Sequence, residues 1–237
     1  MAVLADVAGL RDFGPGLWLA DGSQVSVGGF VYPTRAAIIR LGDGDLLVWS
    51  PIALSDALRG EIDALGPLRH IVAPNALHHV FIADWQAAWP QARTYAPPRL
   101  RGKRPDIAFD ADIADTPLPA WDGVIDQVLM QGNAITDEIV FFHRPSGTVL
   151  FTDLIQHFPP DWFSGWRAIV ARFDLMTAAQ PAVPRKFRVA FTDRRAARMA
   201  LRRILAWPIR QLVMAHGAPV TDNAETTVRA AFRWLSR

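Results

Sequence analysis

The sequence predicts an α/β domain of mixed sheets with helices packed outside them, and three observations carry that reading. Asp43-Gly44 parts two apolar runs, which is the signature of a tight strand hairpin. From Ser55 onward, helical and extended patterns alternate. A second pair of apolar runs flanks Arg144-Pro145-Ser146-Gly147, predicting another hairpin. No internal repeat or low-complexity linker divides the 237 residues, so one domain over 1–237 is expected.

Residues 1–29 are glycine-rich and read as irregular, with Trp18 as an anchor. Tyr32 to Leu41 and Asp45 to Trp49 read as the strands of the first hairpin, and Ser50-Pro51 stops the second of them. Ser55 is placed to cap a helix whose Leu58, Ile62 and Leu65 keep helical spacing, and Gly66-Pro67 ends it. Leu68 to Ala73 reads as a strand, Val80 to Trp89 as a helix and Ala92 to Ala96 as a short strand. Five prolines mark 97–119 as a long loop. Val124 to Met130 reads as a strand, followed by the hairpin of Glu138 to His143 and Thr148 to Ile155. The Trp-rich stretch from Pro159 to Phe173 reads as helical, with Trp162, Phe163 and Trp166 as core or a dimer contact and, as the alternative, the wall of a pocket above Asp153. Thr192-Asp193 starts a basic helix whose Ala197, Leu201, Ile204 and Leu205 face the core. Gln211 to Ala215 is a last strand, and Thr221-Asp222 opens a terminal helix to Trp234.

Composition removes several function classes. Half of the residues are hydrophobic and 20% are charged, which supports a core and argues against disorder. The net charge of +2 leaves no electrostatic footprint for nucleic acid. The arginines at 194–203 read as a solvated helix face, with acidic ligands or anionic lipid as the alternative. The absence of cysteine excludes disulfides, thiolate metal sites and cysteine nucleophiles, and fits a cytoplasmic protein. The first residues do not read as a signal peptide, and no apolar run is long enough for a membrane span. No phosphate-binding or dinucleotide-binding glycine loop occurs, and no G-x-S-x-G nucleophile turn.

Three strand ends carry residues able to ligate a metal. His78-His79 follows Ile71-Val72-Ala73, Asp153 follows Val149-Leu150-Phe151, and His216 follows Leu212-Val213-Met214-Ala215. A buried strand delivers its terminal side chain to a fixed place, as a metal site requires. Imidazole and carboxylate donors suit zinc, iron or manganese. His143 reads as structural or solvent-facing, His157 as a support for Asp153 or an exposed cap, and His70 as surface.

The chain resembles the metallo-β-lactamase fold in its order of hairpin, helix, strand-His-His-helix, hairpin-Thr-Asp and strand-His-Gly. More closely, it resembles the uncharacterised DUF4336 family. The residues that carry this are 35–41 with Asp43-Gly44, Ser50-Pro51-Ile52, Ala73-Pro74-Asn75 with His78-His79, and 140–144 running into Thr152-Asp153-Leu154. The resemblance implies an αββα sandwich of two mixed sheets flanked by helices. Active hydrolases of that fold carry H-x-H-x-D-H. Setting its last histidine on His79 puts Pro74 and Ala76 at the first two histidines and His78 at the aspartate. A further histidine should fall near Gly132-Asn133-Ala134 and is absent, and the aspartate near the second strand is replaced around Trp49-Ser50. The first site of a two-metal enzyme is thereby lost. The second would be filled by His78, His79, Asp153 and His216.

Two expectations follow. One is a single-metal hydrolase acting on an ester, amide or lactone of an unknown small molecule through metal-bound water, with His78 as fourth ligand or proton acceptor. The other is a degenerate scaffold, with no metal, that binds a small molecule or protein partner without catalysis.

Overall fold

The computed structural model describes residues 9–235. The chain opens with β1 (Arg11–Gly14), β2 (Leu17–Val27), β3 (Phe30–Arg40) and β4 (Leu46–Trp49). There follow α1 (Asp56–Leu65), β5 (Leu68–Val72), α2 (Ile82–Ala88), β6 (Arg93–Ala96), α3 (Pro98–Lys103) and β7 (Ala111–Asp112). These seven strands form one sheet in chain order, antiparallel through β4 and parallel from β4 to β7. The second half supplies β8 (Ile125–Met130), β9 (Glu138–His143), β10 (Thr148–Phe151), α4 (Gly165–Phe173), α5 (Arg185–Ala190), α6 (Arg194–Ile204), β11 (Gln211–Met214) and α7 (Ala224–Ala231). Its sheet runs β11-β10-β9-β8, with β10 and β11 parallel and the other pairs antiparallel.

Strand periodicity of two explains the layering. In β3 to β5, Ile38, Val48 and Ile71 pack against Leu58 and Ile62 of α1 and Ile82 and Trp85 of α2. Their neighbours Ile39, Leu47, Trp49 and Val72 point the other way, onto Ile139, Phe141, Leu150 and Val213 of the second sheet. The far face of that sheet, with Phe142, Val149, Phe151 and Leu212, is covered by Phe187 of α5, Ala197 and Leu201 of α6 and Val228 of α7. The order is therefore helix, sheet, sheet, helix, the αββα sandwich.

Most elements lie where the sequence places them, and the exceptions have local causes. Residues 11–27 are not irregular. They form β1 and β2, whose polar Asp21, Gly22 and Ser23 hide a strand that β3 pairs along most of its length, with a bulge between Gly22 and Val25. The 97–119 stretch is not a continuous loop, because Pro98 starts a short helix at the position where a missing N–H costs nothing. The stretch before Gly165 is not helical, and α4 is confined to 165–173. The hairpin strand β10 stops at Phe151, four residues early. The N–H groups of Thr152, Asp153 and Leu154 donate to the Glu138 carboxylate instead of a neighbouring strand. The terminal helix starts at Ala224, after Asn223 turns at φ 57°. No helix among the described residues is long and apolar enough to cross a membrane.

Candidate metal centre

Three of the four expected ligands converge. His78, Asp153 and His216 each offer a donor atom within 4.8 Å of the other two. His78 Nε2 stands 3.3 Å from Asp153 Oδ2, and His216 Nε2 stands 3.5 Å from Asp153 Oδ1. All three come from loops that follow strands β5, β10 and β11, outside the carboxyl ends of parallel-paired strands where α/β folds gather ligand sites.

Each ligand is held from behind. His216 Nδ1 lies 2.7 Å from the carbonyl oxygen of Pro33, which only accepts. Nδ1 therefore donates to that carbonyl, and Nε2 of the same ring faces Asp153. Ser50 Oγ pairs with His78 Nδ1 at 2.8 Å and leaves the Nε2 of that ring aimed at the same carboxylate. Ser50 is buried and adopts φ 58°, a left-handed backbone that only its place at the end of β4 sustains. Asn75 organises the third side. Its amide donates to Thr152 Oγ1 and to Asp153 Oδ2, both at 2.8 Å, while its carbonyl oxygen accepts from the N–H groups of Leu77 and His78. Beneath, Glu138 accepts from three successive N–H groups at 2.7, 2.8 and 3.1 Å, which fixes the backbone that carries Asp153.

The electrostatics favour ligand forms. Burial pushes the pKa of His78 down against the opposing pull of Asp153. Burial opposes ionisation of Asp153, but the neighbouring imidazoles of His78 and His216 outweigh it and hold the carboxyl well below its ordinary range. Burial, with the charge of Asp153, raises Glu138 to about 7, against the opposing effect of its N–H donors.

This donor set fits a divalent cation. Charge-assisted N–H···O contacts close to about 2.7–2.9 Å, and neither Nε2–carboxylate distance does so. Ligand arms of about 2.1 Å in a tetrahedral set give donor–donor edges of roughly 3.4 Å. The observed 3.3 and 3.5 Å are of that size, each imidazole facing a different oxygen of the carboxylate.

His79 lies outside the trio. Arg104, which only donates, gives a hydrogen bond to His79 Nδ1 at 2.9 Å. The lone pair of Nδ1 is thus engaged and the ring hydrogen sits on Nε2. Burial, with Lys103 and Arg104 beside it, lowers the pKa of His79 to about 4. The adjacent-histidine pair splits because one turn of chain sends consecutive side chains to different neighbours. His143 is buried against Ser146, and His70 is buried against Tyr95 rather than at the surface. Asn133 is taken up by a turn, accepting from the N–H groups of Ile135 and Thr136 and donating to Phe187 O.

Sequence reasoning passed over Glu138 and left Asn75 and Ser50 without roles. Glu138 carried a signal, a lone carboxylate heading the apolar run Ile139-Val140-Phe141-Phe142. The roles of Ser50 and of Pro33 O rest on contacts 28 and 183 residues away, which no local pattern displays.

The trio forms part of the floor of a cavity of about 470 Å³, a size suited to a small molecule. Its walls include Val25, Leu77, Val80, Phe81, Ile135 and Phe187, with Lys103 and Lys186 among them. Lys186 donates to Tyr32 Oη at 3.1 Å and pairs with Asp174 at 3.4 Å. Burial opposes its charge, but Tyr32, Asp174 and Asp153 raise its pKa, so the ammonium persists.

Comparison with known proteins agrees with the architecture. TMB-1 superposes with a TM-score of 0.67 at 12% identity, over 99% of this chain and all of that one. A metallo-β-lactamase from Pontibacter korlensis gives 0.65 at 11% identity, over 98% and 100%. One from Erythrobacter litoralis, with β-mercaptoethanol in its active site, gives 0.64 at 16% identity, over 95% and 96%. At these identities the likeness concerns the fold. No curated protein matches the sequence. Residues 16–100 match the model of the domain of unknown function DUF4336. Residues 16–100 are thus similar to DUF4336, and the chain as a whole has a metallo-β-lactamase-like fold.

Proposed function

We propose that the protein is a single-metal hydrolase-like enzyme in which His78, Asp153 and His216 hold one divalent ion. Zinc is the expected ion, and iron or manganese suit the same donors. The observation that carries this reading is the pair of imidazole Nε2 atoms turned on one buried carboxylate at 3.3 and 3.5 Å, with His216 Nδ1 already committed to a carbonyl. Such an ion, when bound, supplies Lewis acidity toward an ester, amide or lactone carbonyl. The chain's own residues do the rest. Ser50, Pro33 and Asn75 lock the ligands. The apolar walls limit water, and Lys103 and Lys186 favour a substrate carrying negative charge. Pro74, Ala76 and Asn133 offer no second site, so chemistry that needs two ions is not proposed.

The test is metal content by plasma mass spectrometry on untagged protein, with Asp153→Ala and His216→Ala. About one equivalent in the wild type, lost in both folded variants, supports the reading and justifies an ester and lactone screen. Wild-type protein that stays metal-free after incubation with zinc, manganese and ferrous iron overturns it, leaving a scaffold that binds without metal chemistry.

A further inference from the structure

The helix α4 is inside out. Trp166, Ile169, Val170 and Phe173 occupy the i, i+3, i+4, i+7 stripe that normally faces a core. They are 56%, 60%, 43% and 67% exposed. The side that packs inward carries small residues, with Ala171 buried and Ala168 against Phe158, Phe163 and Met176. The tip of the β2–β3 hairpin extends the patch. Val27 is exposed there, and the Phe30 ring meets Trp166 at 5.6 Å.

The charges that rim the patch are mostly basic. Arg167 lies over the Trp166 ring and donates to Gly29 O, while Arg172 on α4 and Arg185 at the start of α5 flank the far end. None of the three forms an ion pair among the described residues. The neighbouring acid, Asp174, is tied to Lys186, and Asp161 stands before the helix.

We infer that the α4 face docks this protein on an anionic bilayer surface. Large apolar side chains with a tryptophan, rimmed by arginines, suit the headgroup boundary, where the apolar part sinks in and the guanidinium groups meet phosphates. A second copy of the chain suits the patch less well, because two such faces brought together would oppose arginine to arginine. A groove lined by Phe30, Val170, Phe173 and Arg185 opens beside the patch and shares Tyr32 and Lys186 with the walls of the cavity above the trio. Docking does not depend on the metal reading.

The experiment is flotation of full-length protein with phosphatidylcholine vesicles and with vesicles that also contain phosphatidylglycerol. The variants are Ile169→Ser with Phe173→Ser, and Arg172→Glu with Arg185→Glu. All four positions are exposed, and matched thermal midpoints confirm folding. Wild-type protein floats with the anionic vesicles only, and high salt releases it. Each double variant lowers the partition coefficient about tenfold or more. Failure of the wild type to float, equal binding to both vesicle types, or variants that float as well as the wild type overturns the inference. So does a wild-type dimer that the Ile169→Ser, Phe173→Ser variant dissociates and that ignores vesicles, which would make the face a self-association surface.

Discussion

Replacing Glu138 tests the platform beneath Asp153. Its two oxygens accept three N–H groups in a site closed to water. An alanine would orphan all three, at about 1–3 kcal/mol each, enough to threaten a fold of ordinary stability. Glu138→Gln is the sharper probe. Its carbonyl oxygen keeps Asp153 and Leu154, while its amide group faces the N–H of Thr152, so one donor is lost at about 1–3 kcal/mol. The pH dependence supplies a control. Glu138 ionises near 4.5 when unfolded and near 7 in the fold. Between those values the native state binds more protons, so this contribution to stability is complete below the lower value and is lost as pH rises through the upper one. A shift of this size is worth roughly 3 kcal/mol. Glutamine does not titrate, so the stability gap between wild type and variant must narrow from pH 5 to pH 8. Urea unfolding with chelator present, at both pH values, measures this. A gap that widens toward pH 8 would refute the account of Glu138.

Three other perturbations separate the roles around the trio. Asn75→Ala removes bonds to Thr152 and Asp153 and an acceptor for two N–H groups, so it costs about 2–4 kcal/mol in chemical denaturation and weakens metal affinity. Ser50→Ala and Ser50→Gly both free His78, but glycine tolerates φ 58°, so the alanine variant is the less stable by about 1 kcal/mol; equal thermal midpoints would count against strain there. His79→Ala keeps the metal stoichiometry of the wild type while His78→Ala loses it, as plasma mass spectrometry reads directly.

The sequence displayed the fold well where apolar period and turn chemistry agree. Asp43-Gly44 joins β3 and β4 as an antiparallel hairpin, and Ser55 caps α1 by accepting from Leu58 N. It hid β2, whose register comes from β3 rather than from its own alternation. At the site, the strand-end rule named His78, Asp153 and His216, and the structure brings their donor atoms within 4.8 Å of one another, since strand termini fix where side chains go. It did not distinguish His78 from His79, because that choice is made by Arg104 and Ser50 across the fold. The Trp-rich stretch ending at Phe173 read as helical, but which way its apolar face turns depends on what lies behind Ala168 and Ala171.

The hydrogen bond from His216 to Pro33 joins the end of the second sheet to the first, and Arg35 reinforces it by donating to Met214 O and Gly217 O. This gives the centre a place in time. As the chain emerges during synthesis, His78 and Asp153 precede the residue that completes the trio, and β11 must first pair beside β10. No early segment holds all three residues, so on the proposed reading an ion would not template the first sheet. Metal capture would then be a late event that reports closure of the two sheets, and a ribosome-bound chain halted before residue 216 would present the first two residues without the third.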